Sequence, residues 1–553
     1  MSDELASSGA RRPRDDSFGE IGFVRRSAYE WLSPLAVVRQ GRREAYAEQV
    51  SGYTDRREVL AALDPEPPRE TFDLSGVDDL WIDYLSDTGD GFDAVYTLAW
   101  LLSHEELTVD DAPTRAGRLL VLGGDETYPT ASDEQYRDRL VGPLRAAVPQ
   151  RPEPARQLLA IPGNHDWYDG LGAFARRFVQ GGWIGGWRTA QRRSYWSVRL
   201  PHGWWLWGVD IALEERVDHP QVEYFEAMAR RAVELADGEE PRLVICTAKP
   251  SWVRSAEGVE PAHAHDASLD YLESKVARAN GLRVVATIAG DEHHYARYEP
   301  SGDGPVRVTC GGGGAFLHPT DHLPEGLAVE RRAWAGHERV EPLDLVARYP
   351  SAETSRRLRW RALWFGWHNR GILVLTALAY LTWMLPVSVR IAALGGITYL
   401  LMQLARRPRL WERLVWGVPH AAVHIGVMAA VATAADAVDL DSAAAQAWLR
   451  AGVLLVVGAV VAPIIVGLYF VIAGSLCGIN DNEAFSAIRV QDHKGFLRLR
   501  FGPDGALDVY PVGVDRINRS WRFRPDGAVE DPWFVPSGDP PRPRLVDEVR
   551  RLT

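Results

Sequence analysis

The chain has 553 residues, a formal net charge of -12, 46% hydrophobic and 25% charged residues, and three cysteines. That length leaves room for more than one domain, and the acidity argues against non-specific nucleic-acid binding as the main task. Cys246, Cys310 and Cys477 lie too far apart for a disulfide framework or a Cys-x-x-Cys metal knuckle, so the soluble parts are expected to face a reducing compartment.

In chain order, residues 1–70 form a first region. The polar start MSDELASSGARRPRDDS lacks the apolar core of a signal peptide and reads as a flexible tail to about residue 20. Phe23–Leu63 carries apolar and aromatic residues at helical spacing, which predicts a pair of amphipathic helices packed on the next domain or lying on a membrane surface. The Pro-rich Asp64–Glu70 reads as a linker. From 71 to 350 the pattern is strand, loop, helix. Apolar runs at Leu80–Ser86, Arg118–Leu122, Leu158–Ile161, Trp204–Asp210, Leu243–Thr247, Val284–Ala289 and Val306–Cys310 read as strands, with helices over Ala94–Ser103 and from Gln221. Such alternation predicts an α/β layered sheet with ligand groups at the carboxyl ends of its strands. Four strand ends carry acidic, amide or imidazole groups: Asp87-Thr88-Gly89-Asp90, Gly124-Asp125-Glu126, Gly163-Asn164-His165-Asp166 and Gly290-Asp291-Glu292-His293-His294. Taken singly, Asn-His-Asp is also an ordinary strand-to-helix turn with an Asx cap, and Gly311–Gly314 is either a crowded turn or a backbone cradle for phosphate. Repetition of the pattern favours a site.

The order and spacing of these strand ends resemble the calcineurin-like metallophosphoesterase superfamily, whose pattern is DxH, GD, GNH(D/E), a lone His and GHxH. The resemblance covers roughly Leu80–Thr320 and implies a four-layer α/β/β/α sandwich with two divalent metal ions. It places Asp87 on the first metal, Asp125 between both, Asn164 on the second and His293 on the first. It makes His165 the residue that protonates the leaving group or holds the phosphoryl oxygen, oriented by Asp166, with Glu126 supporting Asp125. Three expected imidazoles are replaced: Gly89 stands in DxH, Ala248 or Lys249 at the lone His, and Asp291 in GHxH. Asp90 is then expected to reach the first metal and Asp291 the second, giving a mostly oxygen site that favours manganese or magnesium over zinc or ferric iron. Lys249 and His294 are expected at the substrate, Lys249 pairing with phosphate. His263 or His265 is an alternative source of the missing ligand, a surface loop being the plainer reading of that segment.

The third region, 365–479, contains long uncharged runs at Gly371–Val389, Ile391–Ala405, Leu414–Ala435 and Ala451–Ile479, read as about four membrane spans. Arg356, Arg357, Arg359, Arg361 and Arg370 precede the first run, and Arg406, Arg407, Arg409 and Arg413 lie between the second and third. Asp436, Asp439 and Asp441, opposed by Arg450, lie between the third and fourth. Positive-inside orientation then puts both termini and the catalytic domain in the cytoplasm of an inner or plasma membrane protein. His420 and His424 share a helix face, as a functional pair or as packing against a neighbour. Residues 480–553 read as a separate cytoplasmic β-rich module, with strands in FSAIRV, FLRLRF and ALDVYPVGV and a short terminal helix over Leu545–Leu552. The expected activity is hydrolysis of a small-molecule or lipid-linked phosphate ester through metal-bound hydroxide, with no specific nucleic-acid partner. Its rivals are a catalytically degenerate metal- or nucleotide-binding sensor coupled to the membrane bundle, and a small transporter with a regulatory domain.

Overall fold

The predicted strands are apolar on both faces, and the fold uses both. In Leu119–Leu122, Leu119 and Val121 enter a core between two sheets, while Leu120 and Leu122 enter a second core beneath helices. In Trp204–Gly208, Trp204 and Leu206 point to the same inter-sheet core and Trp205 and Trp207 to a third core on the opposite outer face. This period of two, with apolar residues in both phases, is what strands covered on both sides require. The computed structural model describes residues 12–33, 41–42, 55–64, 66–212, 215–236, 238, 240–256, 262–331, 339–405 and 409–553.

One sheet runs, in spatial order, Phe72–Asp73, Trp196–Arg199, Trp204–Gly208, Arg242–Thr247, Arg283–Ala289, Val306–Cys310, Tyr295–Pro300, Arg339–Tyr349 and Gly326–Arg331. The other runs Arg544–Leu545, Leu507–Val514, Lys494–Phe501, Leu80–Leu85, Leu119–Leu122, Arg156–Ala160, Trp187–Thr189 and Gly182–Ile184, with Arg550–Leu552 also on Leu507–Val514. Phe92–Leu102 packs outside the second sheet and His219–Glu234 outside the first. The architecture is therefore mixed α/β with two large sheets.

Several expectations need correction. Residues 480–553 are no separate module: Lys494–Phe501 pairs antiparallel with Leu80–Leu85 and lies inside the sheet that also holds Leu119–Leu122. Arg498 stands opposite Asp83 in that ladder, with Nε donating to Asp83 Oδ1 at 3.0 Å and both side chains buried. FSAIRV belongs mainly to a helix, Asp481–Ile488, and the end of the chain forms strands where a helix was expected. The N-terminal tail is tied down from residue 12 onward, since the Arg12 guanidinium donates to the carbonyls of Arg524, Ala528 and Pro532. Arg56–Leu63 is helical as expected, while most of the rest of the amphipathic pair lies outside the described residues. The His263/His265 segment is a helix, Ala262–Tyr271, with His265 buried.

Among the described residues, three helices are long and apolar enough to cross a membrane: Val387–Leu404, Leu410–Asp436 and Ala443–Cys477. The expected first span is broken. A shorter apolar helical stretch, Arg370–Met384, stops before Pro386, because Leu385 is extended (φ -70°, ψ 155°) as a residue preceding proline prefers, and the next helix starts at Val387. His420 and His424 are buried between helices: Tyr380 Oη meets His424 Nδ1 at 2.9 Å, the two imidazole Nε2 atoms lie 3.2 Å apart, and His420 stacks on Tyr469.

Candidate metal centre

Three neighbouring parallel strands, Leu80–Leu85, Leu119–Leu122 and Arg156–Ala160, end side by side. Beyond those ends stand Asp87, Asp125 and the Asn164–His165–Asp166 turn, and Arg283–Ala289 of the facing sheet delivers Asp291 and His293. Asp87, Asp125 and Asp291 all adopt positive φ, at 56°, 54° and 64°. Left-handed backbone is costly for residues with a Cβ, aspartate tolerates it better than most, and such strain collects at functional sites. Close approach also demands glycine: a Cβ on Gly163 would lie 2.1 Å from Asp125 Oδ1, and one on Gly290 would lie 2.6 Å from Asp87 Oδ2.

These side chains gather around the Tyr128 hydroxyl. Tyr128 Oη is 3.1 Å from Asp87 Oδ1, 3.4 Å from Asp125 Oδ2 and 3.1 Å from His293 Nε2, and His293 Nε2 is 3.6 Å from Asp87 Oδ1. His293 Nδ1 faces the Phe316 carbonyl at 2.7 Å; as the donor there, it leaves the Nε2 lone pair turned inward, the state a metal ligand needs. Asp87 is further held by Ser86 Oγ at 2.7 Å and by the Asp291 main-chain N–H, at 3.1 and 3.0 Å from its two oxygens.

Burial, and then the Asp125 charge, push the Asp87 carboxyl well above its usual range. Burial likewise raises Asp125 to about 6 and drives the Tyr128 phenol well up. For His293, burial and the neighbouring His318 and Lys494 hold the imidazole well below its usual range and so neutral. Crowded, buried carboxylates, a phenol and a neutral imidazole make a donor set that a hard cation complements. Asp87, Asp125, Tyr128 and His293 are thus gathered at these loop ends, with Asp87 and His293 the closest carboxylate–imidazole pair among them.

The remaining predicted residues divide. Asn164 Nδ2 donates to Tyr168 Oη at 3.0 Å, leaving its amide oxygen as the donor end. His165 gives its main-chain N–H to Asp125 Oδ1 at 2.9 Å, and its Nδ1 lies 2.7 Å from the Pro129 carbonyl, so Nε2 is the reactive end. Its ring stands among those of Trp31, Tyr128 and Tyr168. Asp166 does not orient that ring: it accepts from Gly163 N at 2.9 Å, Glu126 N at 3.3 Å and the Tyr136 hydroxyl, and so fastens the turn. Asp90 Oδ1 accepts from Tyr29 N at 2.7 Å and lies 4.0 Å from Arg139, while its buried Oδ2 has no hydrogen-bond partner among the described residues. Glu126 bends back to the Gly124 N–H at 3.1 Å.

Lys249 pairs with Glu215, its Nζ 2.5 Å from Glu215 Oε1. His265 does not face the centre. Its Nδ1 meets Glu215 Oε2 at 2.8 Å and its Nε2 meets Thr247 Oγ1 at 3.1 Å. Burial works against the Glu215 charge, but His265 and Lys249 outweigh it and hold that carboxylate down to about 2. His294 lies apart from the converging donors and lines a cavity of about 510 Å³ with Arg254, Glu292, His318 and His322, bounded by Cys477 at the end of the last long helix.

Sequence reasoning missed Tyr128, three residues after Asp125 on the same turn, and that short spacing was its available signal. It also missed Lys494, which arrives from beyond the membrane segment. Lys494 is buried with no hydrogen-bond partner for Nζ among the described residues, and burial pushes it down to about 8 against the pull of Asp492, Asp90 and Asp87. A separate group, Asp321, His322 and Asp481, is close enough to hold an ion. Arg359 already pairs with both of its carboxylates. A scan against protein-family models finds no match to the chain, and neither does a search of the curated proteins.

Proposed function

We propose that the chain is a membrane-anchored hydrolase of phosphate esters, a variant calcineurin-like metallophosphoesterase on a four-layer α/β/β/α sandwich. The observation that carries this reading is the meeting of Asp87, Asp125, Tyr128 and His293 from two facing sheets, with Asp87 and Asp125 in left-handed backbone. Asp87, Asp125, Tyr128 and His293 would hold the metal, which when bound supplies charge neutralisation at the phosphoryl group and a lowered pKa for water. Manganese is the expected ion, with magnesium, iron or zinc as alternatives. His165 presents Nε2 to the substrate and transfers a proton to the departing oxygen, its ring fixed by the Pro129 carbonyl. The Trp31, Tyr128 and Tyr168 rings pack around it and limit water there. Attachment to helices long and apolar enough to cross a membrane supports a membrane-proximal substrate, either a small phosphoester or a lipid-linked phosphate. Cytoplasmic orientation follows from the arginine distribution and is part of the same proposal.

The test uses full-length protein in detergent, loaded with manganese. It should cleave an aryl phosphate or phosphodiester, and His165→Ala should lower turnover by about 10²–10⁴-fold while metal uptake persists. Undiminished turnover in His165→Ala overturns the assigned role. Metal uptake with no turnover on a panel of nucleotides, lipid phosphates and diesters would instead favour the sensor reading, which the loss of three expected imidazoles also supports.

A further inference from the structure

We infer that the N-terminal segment 23–33 is part of this site, and that its Trp31 is a positioning residue for His165, holding the plane of the imidazole that protonates the departing oxygen. The catalytic half of this inference rests on the hydrolase reading above. Residues 24–30 lie in neither helix nor strand, so their polar groups need partners on the domain beneath. The Val24 N–H donates to Asp138 Oδ1 at 3.1 Å, and Arg26 Nε donates to Asp138 Oδ2 at 2.8 Å. The Arg26 carbonyl accepts from Phe92 N at 2.8 Å, and the Ser27 carbonyl accepts from Arg139 Nη1 at 3.3 Å. The two backbones come so close that a Cβ on Gly91 would lie 3.1 Å from Ala28 N. The Tyr29 N–H then donates to Asp90 Oδ1 at 2.7 Å. Asp90 follows Asp87 by three residues, so the strand end that carries Asp87 also fixes this segment two residues before Trp31.

Trp31 meets three rings edge to face. Its centroid lies 5.6 Å from that of Tyr128, 5.7 Å from that of His165 and 5.6 Å from that of Phe316, with planes inclined at 73°, 79° and 67°. Such contacts are directional, so they resist rotation of a ring as well as burying it. Phe316 gives its carbonyl to His293 Nδ1, and the Tyr128 hydroxyl meets Asp87 and His293. The His165 ring is tied through Nδ1 to the Pro129 carbonyl, and a single bond of that kind leaves the imidazole a swing about it. The Tyr128, Tyr168 and Trp31 rings close off that swing. Tyr128 and Tyr168 belong to the turns of the site itself, whereas Trp31 is supplied by the N-terminal segment. Trp31 and Leu32 also pack against the core that Phe316 shares with Phe470 of the last long helix. The indole N–H is buried with no partner among the described residues, so the ring does the holding and phenylalanine is the conservative substitute. No covalent step is assigned to Trp31.

The test compares leaving groups in full-length, manganese-loaded protein, because a general acid matters most where the departing oxygen is basic. Trp31→Ala, checked for unchanged melting temperature and manganese content, should lower kcat on phenyl phosphate by at least about ten-fold and on dinitrophenyl phosphate by less than about three-fold. Trp31→Phe should recover most of the loss. Where Trp31→Ala lowers the melting temperature, Trp31→Leu keeps apolar bulk without the aromatic edge and is read in the same way. An equal loss on both esters, or no loss, overturns the inference. A second measurement needs no turnover: diethyl pyrocarbonate should modify His165 at least about three-fold faster in Trp31→Ala than in the unaltered chain, read by mass spectrometry of the His165 peptide. An unchanged modification rate also overturns it. Faster modification in a protein that cleaves no ester sinks the hydrolase reading alone, and equal losses in an active hydrolase sink this inference alone.

Discussion

His293 coordinates nothing by identity alone. Its Nδ1 is committed to the Phe316 carbonyl, and His318 stacks on its ring at 4.0 Å, so the ring is held with Nε2 turned inward. On the proposed metal site Tyr128 is a ligand, and Tyr128→Phe should weaken manganese affinity by about ten-fold or more while the melting temperature of the metal-free protein holds, as calorimetry would show. Protons compete with the metal here. Burial raises Asp125 to about 6, and burial with the Asp125 charge raises Asp87 well above its usual range. For Asp125 the folded-state value lies above the unfolded one, so its contribution to metal-free stability is fully present below about pH 4 and is lost as pH rises through about 6. A bound cation favours the deprotonated forms and reverses that sign. Manganese should therefore raise the melting temperature more at about pH 7.5 than at about pH 5, with uptake falling by about ten-fold per pH unit for each proton displaced. An equal shift at both values would show that these carboxylates are not the ligands.

At the scale of elements, the strand Lys494–Phe501 has the largest consequence. It is inserted beside Leu80–Leu85, and its Arg498 guanidinium is the buried partner of Asp83, with a further bond to Thr114 Oγ1 at 2.7 Å. Removing Arg498 leaves the Asp83 carboxylate buried and unpaired, a loss of about 3–5 kcal/mol. Arg498→Ala should show it as a lower urea midpoint, whereas the double variant Arg498→Met, Asp83→Leu should recover much of it. The alternation in FLRLRF marks a strand, but a period of two states only which side chains share a face and leaves the partner strand open. Hence the strand was legible and its place in the sheet was not. The same limit applies to Asp166, whose neighbourhood in sequence suggested His165 while Gly163, Glu126 and Tyr136 took its carboxylate.

For the whole molecule, that pairing fixes a parity. Leu80–Leu85 precedes the apolar region and Lys494–Phe501 follows it, yet they lie in one sheet, so both flanks are on one side of any bilayer and the crossings are even in number. Among the described residues three helices are long enough to cross, and Arg370–Met384, about 22 Å at helical rise, is a segment that can make four. Trp360, Trp364 and Trp367 lie exposed just before it, where interfacial anchors belong. In a variant freed of its native cysteines, cysteines placed at Ser301 and Gly538 should react with an impermeant thiol reagent from the same side, and one at Asp441 from the other. Labelling of Ser301 and Gly538 from opposite sides would contradict the shared sheet. The amino-acid sequence alone determined the strand ends with their acidic, amide and imidazole groups, and the long apolar runs, because turn chemistry and hydropathy are local. Only the tertiary structure decided that Tyr128 joins Asp87 and His293, that Asp166 serves the turn and not His165, and that residues on either side of the membrane segment build one sheet. Those outcomes depend on which distant surfaces bury each other, and local patterning does not encode that choice.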